Sequence, residues 1–236
     1  MRTRAFGRVC IAGALALMAT PAVFGQGILN PRITLSGGDS KLSASRSFTV
    51  NGETFNTQFA NGGRVKGRLT LDLTKHFSVE GIYGFGTSNL DVTNTSGTTP
   101  QTSGYGVKGH EVQFNFLNYF TGSGSHLRPF LTTGVGDAYF NPTDKAKTQA
   151  ANQFFDSGTQ IKSSNNISLT VGGGLEARSR HRIGIRFDVT DHISAVPNWG
   201  MPQTSSGTGG TYYPVSGIVH NIQVEAGLVF YLWRLE

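Results

Sequence analysis

The closest this chain comes to an acyl-transfer centre is His192-Ile193-Ser194. An imidazole beside a hydroxyl could take its proton, provided an acid held the ring in place. No Asp or Glu lies between Ala195 and His220, so that third member is missing from the segment that follows. The bland alternative is a histidine at the end of a strand. The remaining histidines (His76, His110, His126, His181 and His220) are dispersed, with no HxH or HxxxH pair. A metal centre needs three or four converging ligands. Gly172-Gly173-Gly174 lacks the Lys-Ser/Thr of a phosphate loop and reads as strand curvature or close packing. No catalytic, metal-ligating or cofactor-binding residue is assigned, and no cofactor is implied.

The elements that would position such residues are strands. Successive side chains of a strand point to opposite faces, so a two-residue period is diagnostic. Val65, Gly67, Leu69, Leu71 and Leu73 share one parity; Arg64, Lys66, Arg68, Thr70, Asp72 and Thr74 share the other. The pattern recurs with Phe77, Val79, Tyr83 and Phe85 against Ser78 and Glu80, and with Val112, Phe114 and Phe116 against Glu111, Gln113 and Asn115. It returns in Ile167, Leu169, Val171 and Leu175 against Ser168, Thr170, Glu176 and Arg178, and in Ile183, Ile185, Phe187 and Val189 against Arg182, Arg186, Asp188 and Thr190. The last run sets Ile222, Val224, Leu228, Phe230 and Leu232 against Gln223 and Glu225. Two weaker segments, one around Ile33 and Leu35 and one over 128–140 whose facing is ambiguous, bring the expected count to eight.

The first 25 residues read as an address. Arg2, Arg4 and Arg8 precede an apolar run over 9–19, and Val23-Phe24-Gly25 suits a cut before Gln26. Residues 1–25 are therefore expected to be a signal peptide and 26–236 one domain. Without those three arginines, 17 Lys and Arg face 14 Asp and Glu, three fewer than the 20 of the full chain. That leaves no clustered basic face for nucleic acid. No apolar stretch after residue 25 is long enough for a spanning helix. The only cysteine, Cys10, lies in the address, so disulfides do not hold the rest together. With charged residues at 14% and 32 glycines, the composition suits a barrel whose outer face avoids water and whose turns need glycine.

Alternation alone does not say which face is inside. A soluble barrel of the lipocalin kind, the third alternative, would bury the apolar parity; a membrane barrel inverts it. The polar parities carry Arg64, Lys66, Arg68, Arg178, Arg182 and Arg186 against Asp72, Glu80, Glu111, Glu176, Asp188 and Glu225. Six charges of each sign are what a narrow lumen requires, because unpaired ions are costly there. Tyr83, Phe85, Tyr119, Phe120, Phe230, Tyr231 and Trp233 gather toward strand ends, where membrane barrels carry aromatic girdles. Short connections near 74–76, 121–127 and 179–181 alternate with long polar ones near 40–58, 89–104, 142–164 and 194–217. In the long ones, Phe154, Phe155, Trp199, Tyr212 and Tyr213 are candidates for surface contacts, or for folding back onto the barrel rim.

This layout of strands, turns and loops resembles the small outer-membrane barrels of the OmpA/OmpX type. Phe187-Asp188-Val189-Thr190-Asp191-His192 also resembles a strand ending of bacterial outer-membrane β-barrel domains. Glu225, Gly227, Phe230 and Leu232 are similar to the signal read by the barrel-assembly machinery, although Trp233-Arg234-Leu235-Glu236 follows where such chains often end on an aromatic. The resemblance implies an all-β, eight-stranded antiparallel up-and-down transmembrane barrel in the bacterial outer membrane. Short turns would face the periplasm and long loops the exterior. Its partners would be membrane lipid and lipopolysaccharide, the assembly machinery and a surface ligand. The expected role is non-enzymatic and either structural or one of surface interaction (adhesion or ligand contact), with a lumen filled by side chains and no wide pore. The second alternative is a lipid A-modifying enzyme of the same fold, because His192-x-Ser194 matches the spacing of a lipid A deacylase.

Overall fold

The computed structural model describes residues 30–43, 45–50, 52–153, 160–179, 182–204 and 212–232. The elements in chain order are β1 (Pro31–Ser43), β2 (Arg46–Val50), β3 (Glu53–Phe59), β4 (Gly62–Asp72), β5 (Phe77–Asn94), β6 (Gln101–Tyr119), β7 (Leu127–Pro142), α1 (Asp144–Gln153), β8 (Ser164–Arg178), β9 (Ile183–Ala195) and β10 (Ile218–Tyr231). All strand pairs are antiparallel, and each long strand pairs with its neighbours in the chain. The β1–β10 pairing, from Arg32 opposite Tyr231 to Ser43 opposite His220, closes the ring. Eight strands (β1 and β4 to β10) form the barrel wall. Closure matters because only a sheet without edges leaves no backbone group unpaired in lipid.

The first strand is longer than its sequence pattern suggests, since Gly37 and Gly38 sit inside it. Two stretches read as loops are largely strand. β2 and β3 pair as a hairpin, which adds to β5 above the barrel wall through Phe55 opposite Asn94 and Phe59 opposite Leu90. β5 and β6 run on past the wall, so only 95–100 connect them. The connection from β7 to β8 contains α1. Its start is capped by Thr143, whose hydroxyl accepts the Ala146 amide at 3.2 Å. The opposite end has tight turns over 73–76 and 120–126. In the first, the Thr74 hydroxyl accepts the Phe77 amide at 3.0 Å.

The faces are inverted relative to a soluble barrel. Leu35, Val65, Tyr83, Phe116, Leu131, Leu169, Ile185 and Leu228, one from each wall strand, each expose about half or more of their surface on the outside. Arg68, Glu80, Glu111 and Arg186 are buried inside. A continuous apolar exterior on a closed sheet is a surface for acyl chains, not for water. No helix of the described residues is long and apolar enough to cross a membrane. The facing of β7 is now defined: Arg128, Phe130, Thr132 and Phe140 point inward, and Leu127, Leu131 and Val135 outward.

Two glycines are required by close approach. A Cβ on Gly174 would lie 2.3 Å from the Phe187 carbonyl oxygen and 2.6 Å from the Phe130 ring, so glycine here makes room for an inward aromatic. A Cβ on Gly227 would lie 2.6 Å from the Leu35 carbonyl oxygen, at the β1–β10 seam. The outward face yields a direct prediction. Phe187→Arg places a cation among acyl chains and should cost about 2–4 kcal/mol, whereas Phe187→Leu should cost less than about 1.5 kcal/mol. Urea unfolding in phospholipid vesicles measures both.

Candidate functional site: a neutralised lumen beneath an apolar plug

The inward parity of the strands builds three layers along the barrel axis. At the turn end, Arg32 from β1 donates to Asp72 of β4 at 2.7 Å and to the Tyr119 hydroxyl of β6 at 2.7 Å. Glu176 of β8 accepts the hydroxyls of Tyr231 at 2.8 Å and Tyr119 at 3.1 Å. Arg128 of β7 lies 3.5 Å from Asp72, its guanidinium 3.7 Å above the Tyr119 ring. Ser78 donates to the other Asp72 oxygen. Phe130 and Leu117 fill the space between these groups.

The middle layer is ionic and spans the lumen. Arg186 of β9 donates to Glu80 of β5 at 2.5 and 3.3 Å and pairs with Asp188 at 2.9 Å. Thr70 donates to the same Glu80 at 2.7 Å. Arg68 of β4 bridges Asp188 at 2.8 Å and Glu225 of β10 at 2.6 Å. Lys66 joins Glu225 to Glu111, 2.8 Å from each, and Arg64 donates to Glu111 at 2.7 Å. Gln223 is bonded to both Lys66 and Glu111. Each carboxylate of this layer therefore meets two cations, Glu80 having Arg68 at 3.9 Å as its second. A desolvated ion is tolerable only under that condition.

Among the described residues, twelve ionic side chains are buried: Arg32, Arg64, Lys66, Arg68, Arg128 and Arg186 against Asp72, Glu80, Glu111, Glu176, Asp188 and Glu225. The balance is again six to six, but its membership differs from the sequence reading in two places. Arg182 is exposed at the turn before β9, and Arg178 is half-buried at the mouth with its guanidinium 4.3 Å over the Tyr231 ring. Both have the inward parity, yet both sit too low along the axis to enter the lumen. Arg32 and Arg128 take their places. Tyr119 and Tyr231 also leave the expected girdle, because they point inward and bind Glu176. Trp233 lies outside the described residues. On the outside, Tyr83 donates to or accepts from His110 at 2.9 Å, and Phe85 and Tyr139 pack against the same imidazole.

Above the ions the lumen is sealed by hydrocarbon. Leu42, Phe59, Leu90, Tyr105, Val107 and Phe140 from the strand tops meet Phe48 and Phe55 of the β2–β3 hairpin, and Ala146 and Ala150 of α1. Val196, Trp199, Met201, Tyr213 and Val215 from the last loop complete the cluster. Trp199, only 1% exposed, takes a left-handed backbone (φ 56°) and packs 6.2 Å from the Phe59 ring. Tyr213 stacks edge-on against Phe48 at 5.3 Å, and burial raises its phenol pKa above the ordinary value. Trp199 and Tyr213 thus fold back over the rim and are not displayed for surface contact; Tyr212 packs partly against the same cluster. Phe154 and Phe155 lie outside the described residues. The sequence reading missed this plug. Its available signal was the change of the inward parity from polar to apolar, as in β6 from Glu111 and Gly109 to Val107 and Tyr105.

The candidate chemistry dissolves into this framework. His192 faces inward, Nδ1 with the Thr170 hydroxyl at 3.1 Å and Nε2 near Thr190 at 3.2 Å and Lys66 at 3.4 Å. Ser194 instead donates to the Ala195 carbonyl at 3.4 Å. The pair the sequence singled out is not joined by a hydrogen bond. His220 is on the outer face with Asp191 at 2.7 Å. Among the described residues no group of His, Cys, Asp and Glu could hold a metal ion. The cavity between the ions and the plug, lined by Arg64, Glu111, His192 and Ser194, has room for about one water molecule.

The lumen yields a stability prediction. Glu80→Gln withdraws the shared partner of Arg186, Arg68 and Thr70 and should cost about 3–5 kcal/mol. Adding Arg186→Met should recover part of that loss, because the stranded cation leaves with it. Heat-modifiable migration and urea midpoints report both.

No family model matches the chain, and no curated protein matches it. Solved structures do. Neisserial surface protein A is 10% identical with a TM-score of 0.52, over 85% of this chain and 96% of that one. The outer membrane protein OprG from Pseudomonas aeruginosa is 13% identical with a TM-score of 0.56, over 89% of this chain and 99% of that one. At such identities the likeness is one of fold, and it agrees with the closed wall and the inverted faces. By its fold, this chain is a small eight-stranded β-barrel of the outer-membrane type.

Proposed function

We propose that this outer-membrane barrel acts without catalysis, as a closed structural element that presents its loop end to the exterior. The observation that carries the reading is the double closure of the lumen. Twelve paired ions fill it, and an apolar plug from the strand tops, hairpin, helix and last loop covers them. Water and solutes have no wide path through such a core, since an eight-stranded wall leaves an interior that side chains fill. With Trp199 and Tyr213 committed to the plug, any surface ligand would meet the polar residues of the loops, such as Thr95 and Ser96 at the exposed β5–β6 tip. Membrane lipid and lipopolysaccharide are the partners that the apolar exterior supports.

Glu225, Gly227, Phe230 and Leu232 are proposed as the segment read by the assembly machinery. In support, they lie on or beside β10, which zips to β1 to close the wall. Glu225 itself faces inward to Lys66 and Arg68, so its part in any recognition precedes closure.

Planar-bilayer recording tests the central reading: the purified protein should show no steady porin-sized conductance, and such a conductance would overturn it. Lipid A mass spectra should be the same with and without the protein. Loss of an acyl chain that His192→Ala abolishes would instead establish the enzymatic alternative. Gly227→Val should slow closure of the barrel, measured as delayed appearance of the heat-modifiable form, because the seam has no room for the added carbons.

A further inference from the structure

Charge is distributed unevenly along the barrel axis. The lumen is balanced, six against six among the described residues. The loop end and the upper outer wall are balanced as well, with Lys108 and Lys145 among six cations and Asp91 and Asp144 among six anions. The turn end is not. Lys75 and Arg182 are exposed there and Arg178 is half-buried, and among the described residues no exposed carboxylate shares that end. None of the three forms an ion pair with a described residue; the Arg178 guanidinium lies over the Tyr231 ring instead. The excess positive charge of the described barrel is therefore concentrated on one rim.

The position of that rim decides what it meets. Lys75 lies two residues before Phe77, and Arg182 directly precedes Ile183; both of these apolar side chains are about half exposed on the outer wall. Arg178 is the last residue of β8, next to the turn that leads to Arg182. The turns are too short to project these cations away from the wall. They sit where the acyl-facing belt ends, which is the depth of lipid headgroups. Cations at that depth are attracted to anionic headgroups by about five-fold in local enrichment per charge, and the attraction falls with salt.

We infer that Lys75, Arg178 and Arg182 form a rim that gathers anionic phospholipid headgroups of the leaflet at the turn end. The apolar belt directly above them favours this occupant over a cell-wall polymer or a soluble protein, because it holds the cations in the headgroup layer. The inference rests on the membrane-spanning reading above, and the two can fail separately.

The test is spin-label electron paramagnetic resonance of the folded protein in phosphatidylcholine vesicles carrying trace labelled phosphatidylglycerol or labelled phosphatidylcholine. The motionally restricted fraction reports which lipid contacts the wall. Phosphatidylglycerol should be preferred at low salt, and the preference should vanish at high salt. Lys75→Gln with Arg182→Gln, both exposed and so compatible with folding, should remove most of it; adding Arg178→Gln should remove the rest. Lys108→Gln with Lys145→Gln at the loop end should leave it intact. Insertion without any preference, or a preference that survives the turn-end changes, overturns the inference alone. Binding to purified cell-wall polymer that these changes abolish, with no lipid preference, would assign the rim to that partner instead. Failure to insert at all would overturn the membrane-spanning reading.

Discussion

The structure depends on keeping twelve charged side chains neutralised inside a tube with almost no room for water. An ion withdrawn from water costs several kcal/mol even after relaxation, and only close partners of opposite sign offset it. The pairs that do so join distant parts of the chain: Arg186 with Glu80 across 106 positions, Arg68 with Asp188 across 120, and Arg68 with Glu225 across 157. They reach across the lumen and not merely along one wall. Register is thereby set for several strands together. A slip of one residue in β4 would turn Arg64, Lys66 and Arg68 toward lipid and bring Val65 and Leu69 into the ion network.

The apolar plug is the complement of this ionic layer. Inward-facing positions that are polar in the membrane become apolar where the strands rise above it, so the barrel has two cores of opposite character in series. The lower one is held by charge pairing under a lipid-facing wall. The upper one is an ordinary hydrophobic core, built from aromatics such as Phe48, Phe55, Phe140 and Trp199. Its contributors are otherwise separate excursions of the chain, and their shared burial gives the loop end a defined form. Residues that read as polar loop thus become strand and helix because a common apolar centre is available to them.

The same packing engages the reactive residue types with other partners. His192 is held by two threonines and a lysine, and Ser194 turns to a neighbouring carbonyl. A base and a nucleophile must share a hydrogen bond and an accessible space for substrate. Here the ring nitrogens are engaged elsewhere and the adjoining space holds about one water molecule.

By itself, the sequence determined six of the eight wall strands and the sign of their faces, but neither the β2–β3 hairpin nor the facing of β7. Parity is a local property: Arg64, Lys66 and Arg68 must share a side, and Val65 and Leu69 must take the other, wherever the strand is placed. The near-equal numbers of buried cations and anions were legible for the same reason. Height along the axis was not. Arg178 and Arg182 have the inward parity but lie below the lumen, whereas Arg32 and Arg128 enter it, because strand tilt and the β1–β10 closure decide which inward position is level with which. Tyr119, Tyr231 and Trp199 turned inward for partners on other strands and loops, Glu176 and Phe59 among them. Those encounters arise only when the sheet closes, since they join residues that no local pattern relates.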